Sequence, residues 1–249
     1  MFRPRHLLNH RRRHYSQSGE DGLIDYMLRR LSGHTELSRY FVEFGAWDGR
    51  HLSNTFFLAE RRAFGGLLIE ADAARYRQLC ENMRRFPGVV CVNRTVAAHG
   101  TDRLDEILRA TGAPCDFDVL SIDVDGMDYW IWQGLQDYRP KIVVIEINYR
   151  VKPGVCAVHD PAAPFVWGVS GSSITSMAEL GSRKGYELVA NVGCNAVFIR
   201  RDLASRFQTR GASERELFTY EGFALGELAW SERLRRVGER LRKGLLLGQ

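Results

Sequence analysis

Two glycines separated by three residues, at the end of an apolar run, constrain this chain more than any other feature. Tyr40-Phe-Val-Glu-Phe-Gly-Ala-Trp-Asp-Gly-Arg50 reads as a buried strand that ends around Glu43 and turns through Gly45, Asp48 and Gly49. The glycines let backbone come close to a ligand, because a Cβ there would take up the ligand's space. Gly66-Leu-Leu-Ile-Glu70 reads as a second strand, ending in a carboxylate twenty-one residues after Gly49. A glycine turn after one strand and an acid after the next is the layout of a nucleoside site at the carboxyl edge of a parallel sheet, with Glu70 set to accept the hydroxyls of a ribose.

The rest of the chain supplies that sheet. Leu23, Ile24, Met27, Leu28 and Leu31 recur at helical spacing, which predicts an amphipathic helix over 16–31. Strands are expected at 41–44, 66–69, 89–93, 117–122 and 141–147, with helices at 53–61, 73–86, 101–110 and 127–136 between them. Ser53 is the expected N-cap of its helix. Short apolar strands alternating with helices predict a mostly parallel sheet covered on both faces. A Gly- and Pro-containing loop, 151–171, is too long for a plain connector and has the length of a lid or binding loop. It carries Phe165 and Trp167, which would cover an apolar acceptor. A helix over 174–184 and a hairpin of strands, 186–191 and 195–200, complete the domain. A basic helix over 231–247 is expected at the end.

Composition bounds the partners. The chain has 249 residues, 45% hydrophobic and 26% charged, enough for one sizeable core. Its net charge of +5 sits at the two ends: residues 1–15 hold five arginines and no acid, and the tail from 231 is also basic, leaving an acidic body. A nucleic-acid groove needs a basic face on the folded body, so no nucleic acid is expected. Five scattered cysteines form no C-x-x-C pair, which fits a reducing, cytoplasmic setting better than a disulfide framework. No apolar run is long enough to span a bilayer, and no secretory signal is visible. The expected organisation is a basic N-terminal arm (1–15), one catalytic domain (16–202) and a C-terminal extension with a basic tail (203–249).

The spacing E-x-G-x-x-x-G, in place of G-x-G-x-x-G, points away from a dinucleotide and towards S-adenosylmethionine. Four blocks carry a resemblance that agrees: Tyr15-Ser-Gln-Ser-Gly-Glu-Asp-Gly22, Phe41-Val-Glu-Phe-Gly-Ala-Trp-Asp-Gly49, Leu120-Ser-Ile-Asp-Val-Asp-Gly126, and Lys184-Gly-Tyr-Glu-Leu-Val189 with Gly193-Cys-Asn-Ala-Val-Phe198. Over roughly 15–202 the chain resembles FkbM-type methyltransferases. The resemblance implies an α/β, Rossmann-like class I methyltransferase fold, with a seven-stranded mostly parallel sheet, a terminal antiparallel hairpin and helices on both faces. It also implies S-adenosylmethionine as cofactor.

On that reading Glu43, Gly45, Asp48 and Gly49 serve the methionyl end of the cofactor, Glu70 the ribose, and Ala97, after the third strand, the adenine. Asp123 joins them from the fourth strand. Asp123 with Asp125, and Glu146 with Asn148, lie two apart at strand ends and project to one side. In catechol O-methyltransferase-like enzymes, acids and an Asn at these places bind magnesium. Asp123, Glu146 and Asn148 are therefore the candidate Mg²⁺ ligands, although Glu146-x-Asn148 departs from the adjacent pair found there. His159, next to Asp160, is a candidate general base. Gln17, Glu20 and Asp21 form the polar edge of the first helix: Ser16 or Ser18 is expected to cap it with the acids at its positive end, and the resemblance adds a role in covering the cofactor or substrate. The expected reaction is O-methylation of a small-molecule or sugar hydroxyl, with N-methylation or a non-catalytic cofactor-binding subunit as alternatives. Homo-oligomerisation and contact of the basic tail with an anionic membrane remain open.

Overall fold

The computed structural model describes residues 5–166, 168–207 and 211–219. The basic tail helix expected over 231–247, and Trp167 in the long loop, lie outside the described residues. Helices α1 (Glu20–Leu31), α2 (Phe56–Arg62), α3 (Ala73–Met83), α4 (Leu104–Ala110), α5 (Asp128–Gly134) and α6 (Ile174–Arg183) surround a sheet of β1 (Tyr40–Phe44), β2 (Gly65–Ile69), β3 (Val89–Val92), β4 (Val119–Ile122), β5 (Ile142–Glu146), β6 (Tyr186–Val192) and β7 (Asn195–Arg200). A short α7 (Glu214–Leu217) follows.

The sheet order is β3-β2-β1-β4-β5-β7-β6. Strands β1 to β5 run parallel, and β7 pairs antiparallel with both β5 and β6. This is the Rossmann-like, seven-stranded and mostly parallel sheet with a terminal antiparallel pair that was expected. The chain winds outward from β1 in one direction and from β4 in the other, so the β1/β4 boundary is the switch point where such sheets open a crevice at their carboxyl ends.

Alternation along the central strands explains burial on both faces. Phe41, Val119, Ile142 and Val144 point to the α1–α3 side, while Val42, Leu120, Val143 and Ile145 point to the α4–α6 side. The segments expected to flank the domain contribute to the same cores. Leu7, in a short 3₁₀ helix (His6–His10), is fully buried, and so are Phe207 and Phe218. Arg5 reaches across to donate to the carbonyls of Glu216 and Phe218 at 2.8 and 2.7 Å.

Two helix starts differ from expectation. α1 begins at Glu20 behind Gly19, which is left-handed at φ 94°. Ser16 does not cap it in the usual way. Its hydroxyl instead accepts the N–H groups of Gly19 and Asp21, both at 3.2 Å. α2 begins at Phe56, and Ser53 sits three residues ahead, accepting from Phe56 N–H at 3.0 Å.

Candidate active site at the carboxyl edge of the sheet

The ends of β1, β2, β4 and β5 frame a cleft of about 730 Å³ at the switch point. Its central constraint is Gly45, with φ 72°. A Cβ at this position would collide with the carbonyl oxygen of Asp123 at the end of β4. The two central strand ends therefore come together only with glycine, and the backbone of both is left facing the cleft. Gly49, at φ 74°, serves a different purpose: a Cβ there would run into Leu79 and, at 2.9 Å, the methyl of Met83 on α3. It permits helix packing and does not line the cleft. Asp48 is also off the lining. Its carboxylate accepts from Arg50 and His51 N–H at 2.9 and 2.7 Å and shapes the turn.

Glu70, at the end of β2, lines the cleft and is 5% exposed. One carboxylate oxygen accepts from Trp47 N–H at 2.7 Å and the other from Asp72 N–H at 2.8 Å. Each oxygen keeps further acceptor capacity, so the group is held at a set angle while still able to receive hydroxyl donors. Glu43 lines the cleft too, but its carboxylate is committed to its own chain. It accepts from the Ser53 hydroxyl at 2.5 Å, Asn54 N–H at 2.8 Å and the Thr55 hydroxyl at 2.7 Å. Burial pushes the Glu43 carboxyl up, and these hydrogen bonds pull against that rise. It braces the β1–α2 connection and leaves the compensation of a bound cation to other carboxylates.

On the other side, Asp123 and Glu146 both line the cleft. Nearby, burial raises the Cys194 thiol well above its usual value, and the charges of Glu146, Glu20 and Asp123 raise it further. Asn148 also lines the cleft, with its amide turned to the long loop. Its Nδ2 donates to the carbonyls of Val169 and Ser170 at 2.9 and 3.1 Å, and its Oδ1 accepts from Arg150 N–H at 3.1 Å. His159 is not part of the lining. Its imidazole packs where a Cβ on Gly126 would fall within 3.0 Å, and its carbonyl accepts from Trp130 Nε1 at 2.7 Å. Ala97 lies off the lining as well, pinned by its N–H to the Asp102 carbonyl at 2.9 Å, and Val96 takes its place at the wall.

The expected Mg²⁺ set finds no support in these donors. Asp123 and Glu146 line the cleft, and the Asn148 amide is engaged with the loop through both its nitrogen and its oxygen. Among the described residues no group of three or more His, Cys, Asp and Glu side chains is placed to hold a metal ion.

Two cleft residues, Trp47 and Arg75, were not singled out in the sequence, whereas Gln17 and Asp125 were. Trp47 is left-handed at φ 51°, and the Arg75 guanidinium lies 4.2 Å from its ring centroid. Arg75 is on the first turn of α3, behind the N-cap Asp72, which accepts from Ala74 and Arg75 N–H at 2.8 Å each. Gln17 reaches the cleft from the segment before α1. That segment is held by Asp21, whose carboxylate accepts from Tyr15 N–H at 2.6 Å and the Ser16 hydroxyl at 2.8 Å, and by Glu20, which accepts from Asn195 Nδ2 at 2.9 Å. Asp125 lines the cleft in a left-handed turn at φ 40°. Beneath it the buried Asp128 carboxylate accepts from Val124 and Gly126 N–H at 2.9 and 3.1 Å. Burial pushes Asp128 up to about 6, with those backbone bonds opposing and the Asp125 charge adding to the rise.

No family model matches the sequence, and no curated protein matches it. Solved structures with a similar arrangement include the [4+2]-cyclase SpnF, at 12% identity and TM-score 0.48 over 86% of this chain and 76% of that one. Another is the CMeT domain of the citrinin polyketide synthase, at 10% identity and TM-score 0.47 over 73% of this chain. The match spans about half (52%) of that domain's structure. The N-terminal domain of EvdMO1, solved with SAH bound, is 16% identical at TM-score 0.42 over 72% of this chain and 78% of that one. Likeness this distant leaves the chemistry of the cleft to be read from this chain's own residues.

Proposed function

We propose that this chain is an S-adenosylmethionine-dependent methyltransferase acting on a hydroxyl of a small molecule or sugar. The observation that carries the reading is the pairing of Gly45 with Glu70. At the switch point, backbone is bared by a glycine that no other residue can replace, and a carboxylate preset by two backbone N–H groups faces the same cavity. The residues fit the group: Glu70 would receive the ribose hydroxyls, Val96 would meet the adenine, and the turn at Gly45 would lie along the methionyl chain.

When bound, S-adenosylmethionine supplies an activated methyl group on a sulfonium, open to in-line displacement. The chain's own task is mostly alignment of the acceptor oxygen in a site shielded from water. Asp123 and Glu146 supply negative charge beside a cationic sulfonium, and either carboxylate is placed to take the proton released by the acceptor hydroxyl. Asn148 contributes by fixing the loop over the cleft, and His159 has no part in proton transfer.

A thermal-shift comparison tests the assignment. At a hundredfold excess over a micromolar Kd, ligand binding stabilises by about 2.7 kcal/mol. S-adenosylmethionine and S-adenosylhomocysteine should therefore raise the melting temperature by roughly 5–10 °C. NAD⁺ should leave it unchanged. A shift with NAD⁺ and none with the two sulfur nucleosides would assign the cleft to a dinucleotide instead.

A further inference from the structure

Six large apolar side chains are exposed among the described residues, and five of them (Val155, Val158, Phe165, Val166 and Val169) belong to the one loop that follows β5. Val169 is 73% exposed and Phe165 43%. This is not a slack segment. Asn148 Nδ2 holds the Val169 and Ser170 carbonyls, Val166 N–H donates to the Ser170 hydroxyl at 2.8 Å, and Gly154 N–H donates to the Thr175 hydroxyl at 2.7 Å. At the base of the loop, Ser173 N–H donates to the Ala157 carbonyl at 2.8 Å. A loop tied down by its polar groups, with its apolar side chains still in water, is built to present them.

The charge around it selects a partner. Between 148 and 172 the only acid is Asp160, whereas Arg150 and Lys152 stand exposed at the loop's start. From other elements, Glu179 meets Cys156 at 3.4 Å and the Arg215 guanidinium lies against Gly154. Apolar side chains able to enter the headgroup region, flanked by cations able to meet anionic headgroups, are the two requirements for peripheral membrane binding. The same loop supplies Phe165, Gly168 and Ser170 to the cleft lining, so whatever the loop docks on lies at the cleft mouth.

We infer that the loop 151–171 is a membrane-docking element that seats the mouth of the cleft on an anionic bilayer. The acceptor would then be a hydroxyl carried by a lipid-embedded molecule, a consequence that rests on the methyl-transfer reading. The docking itself does not rest on it.

Co-sedimentation of the full chain with vesicles tests the docking, using phosphatidylcholine alone against phosphatidylcholine with 30% phosphatidylglycerol. Wild type should partition to the anionic vesicles at least tenfold better than to the neutral ones. Val166→Ser with Val169→Ser should reduce that partition about tenfold, since both side chains are exposed and only their backbone groups are hydrogen-bonded. Lys152→Gln should reduce the preference for anionic lipid. The melting temperature, measured on the same preparations, should be unaltered, which shows that the variants are folded. Absence of vesicle binding by wild type overturns the inference and leaves a soluble protein partner as the occupant of the loop. Vesicle binding that survives the double substitution overturns it equally, by assigning membrane contact to a segment elsewhere.

Discussion

At the scale of single residues, the cleft is defined by what a side chain would prevent as much as by what side chains do. Gly45 and Gly112 make a controlled pair. Both are left-handed, at φ 72° and 68°, but a Cβ on Gly112 meets nothing within 4 Å while one on Gly45 strikes the Asp123 carbonyl. Gly112→Ala should cost about 1 kcal/mol, the penalty of the left-handed backbone alone. Gly45→Ala should cost more than that in a denaturant melt and should also abolish binding of S-adenosylhomocysteine. Equal losses for the two, with ligand affinity intact, would show that the β1–β4 approach is not what shapes the site. That Glu70 would line the cleft was legible in the sequence, because it ends the strand beside the glycine turn. The commitments of Glu43 and Asn148 were not legible, since their partners are loop groups whose proximity only the folded backbone determines: Ser53 to Thr55 for one, Val169 and Ser170 for the other.

At the scale of elements, the β4–α5 turn has a pH-sensitive support. Asp125 and Gly126 are both left-handed, at φ 40° and 97°, and the turn is held from below by the Asp128 carboxyl. Burial raises that carboxyl from 3.8 to about 6. The sign follows from linkage: a group that holds its proton more tightly when folded stabilises the fold below its unfolded pKa and loses that contribution as pH rises through its folded pKa. Asp128→Asn cannot titrate. The stability of wild type relative to this variant should therefore rise as the pH is lowered from about 6 to about 4, in urea melts at matched ionic strength. A difference that is flat across that window would mean Asp128 is not perturbed in the folded protein. Strands were read closely from their apolar runs, and helix starts less so. α1 begins behind a left-handed glycine, and Ser53 caps from within a loop that Glu43 organises. Both depend on tertiary partners that local pattern does not encode.

At the scale of the whole molecule, alternating strands and helices were enough to anticipate a mostly parallel sheet covered on both faces, and the resemblance supplied its seven strands and antiparallel end. The flanking segments were harder to read. Their arginines dominate the composition, yet Leu7, Phe207 and Phe218 are buried in the main cores, so a charged stretch was concealing isolated core positions. The metal site anticipated from strand-end oxygens gained no support for a related reason, since side-chain type reports what a residue can bind and not what already engages it. Glu70 faces the cavity with both carboxylate oxygens preset by backbone N–H groups, and calorimetry of S-adenosylhomocysteine binding reads what it contributes there. Wild type should bind with a micromolar Kd, about −8 kcal/mol. Glu70→Ala, which removes the acceptor for the ribose hydroxyls, should weaken this by about 1–3 kcal/mol. No detectable binding by wild type, or an affinity that Glu70→Ala leaves unchanged, would contradict the account.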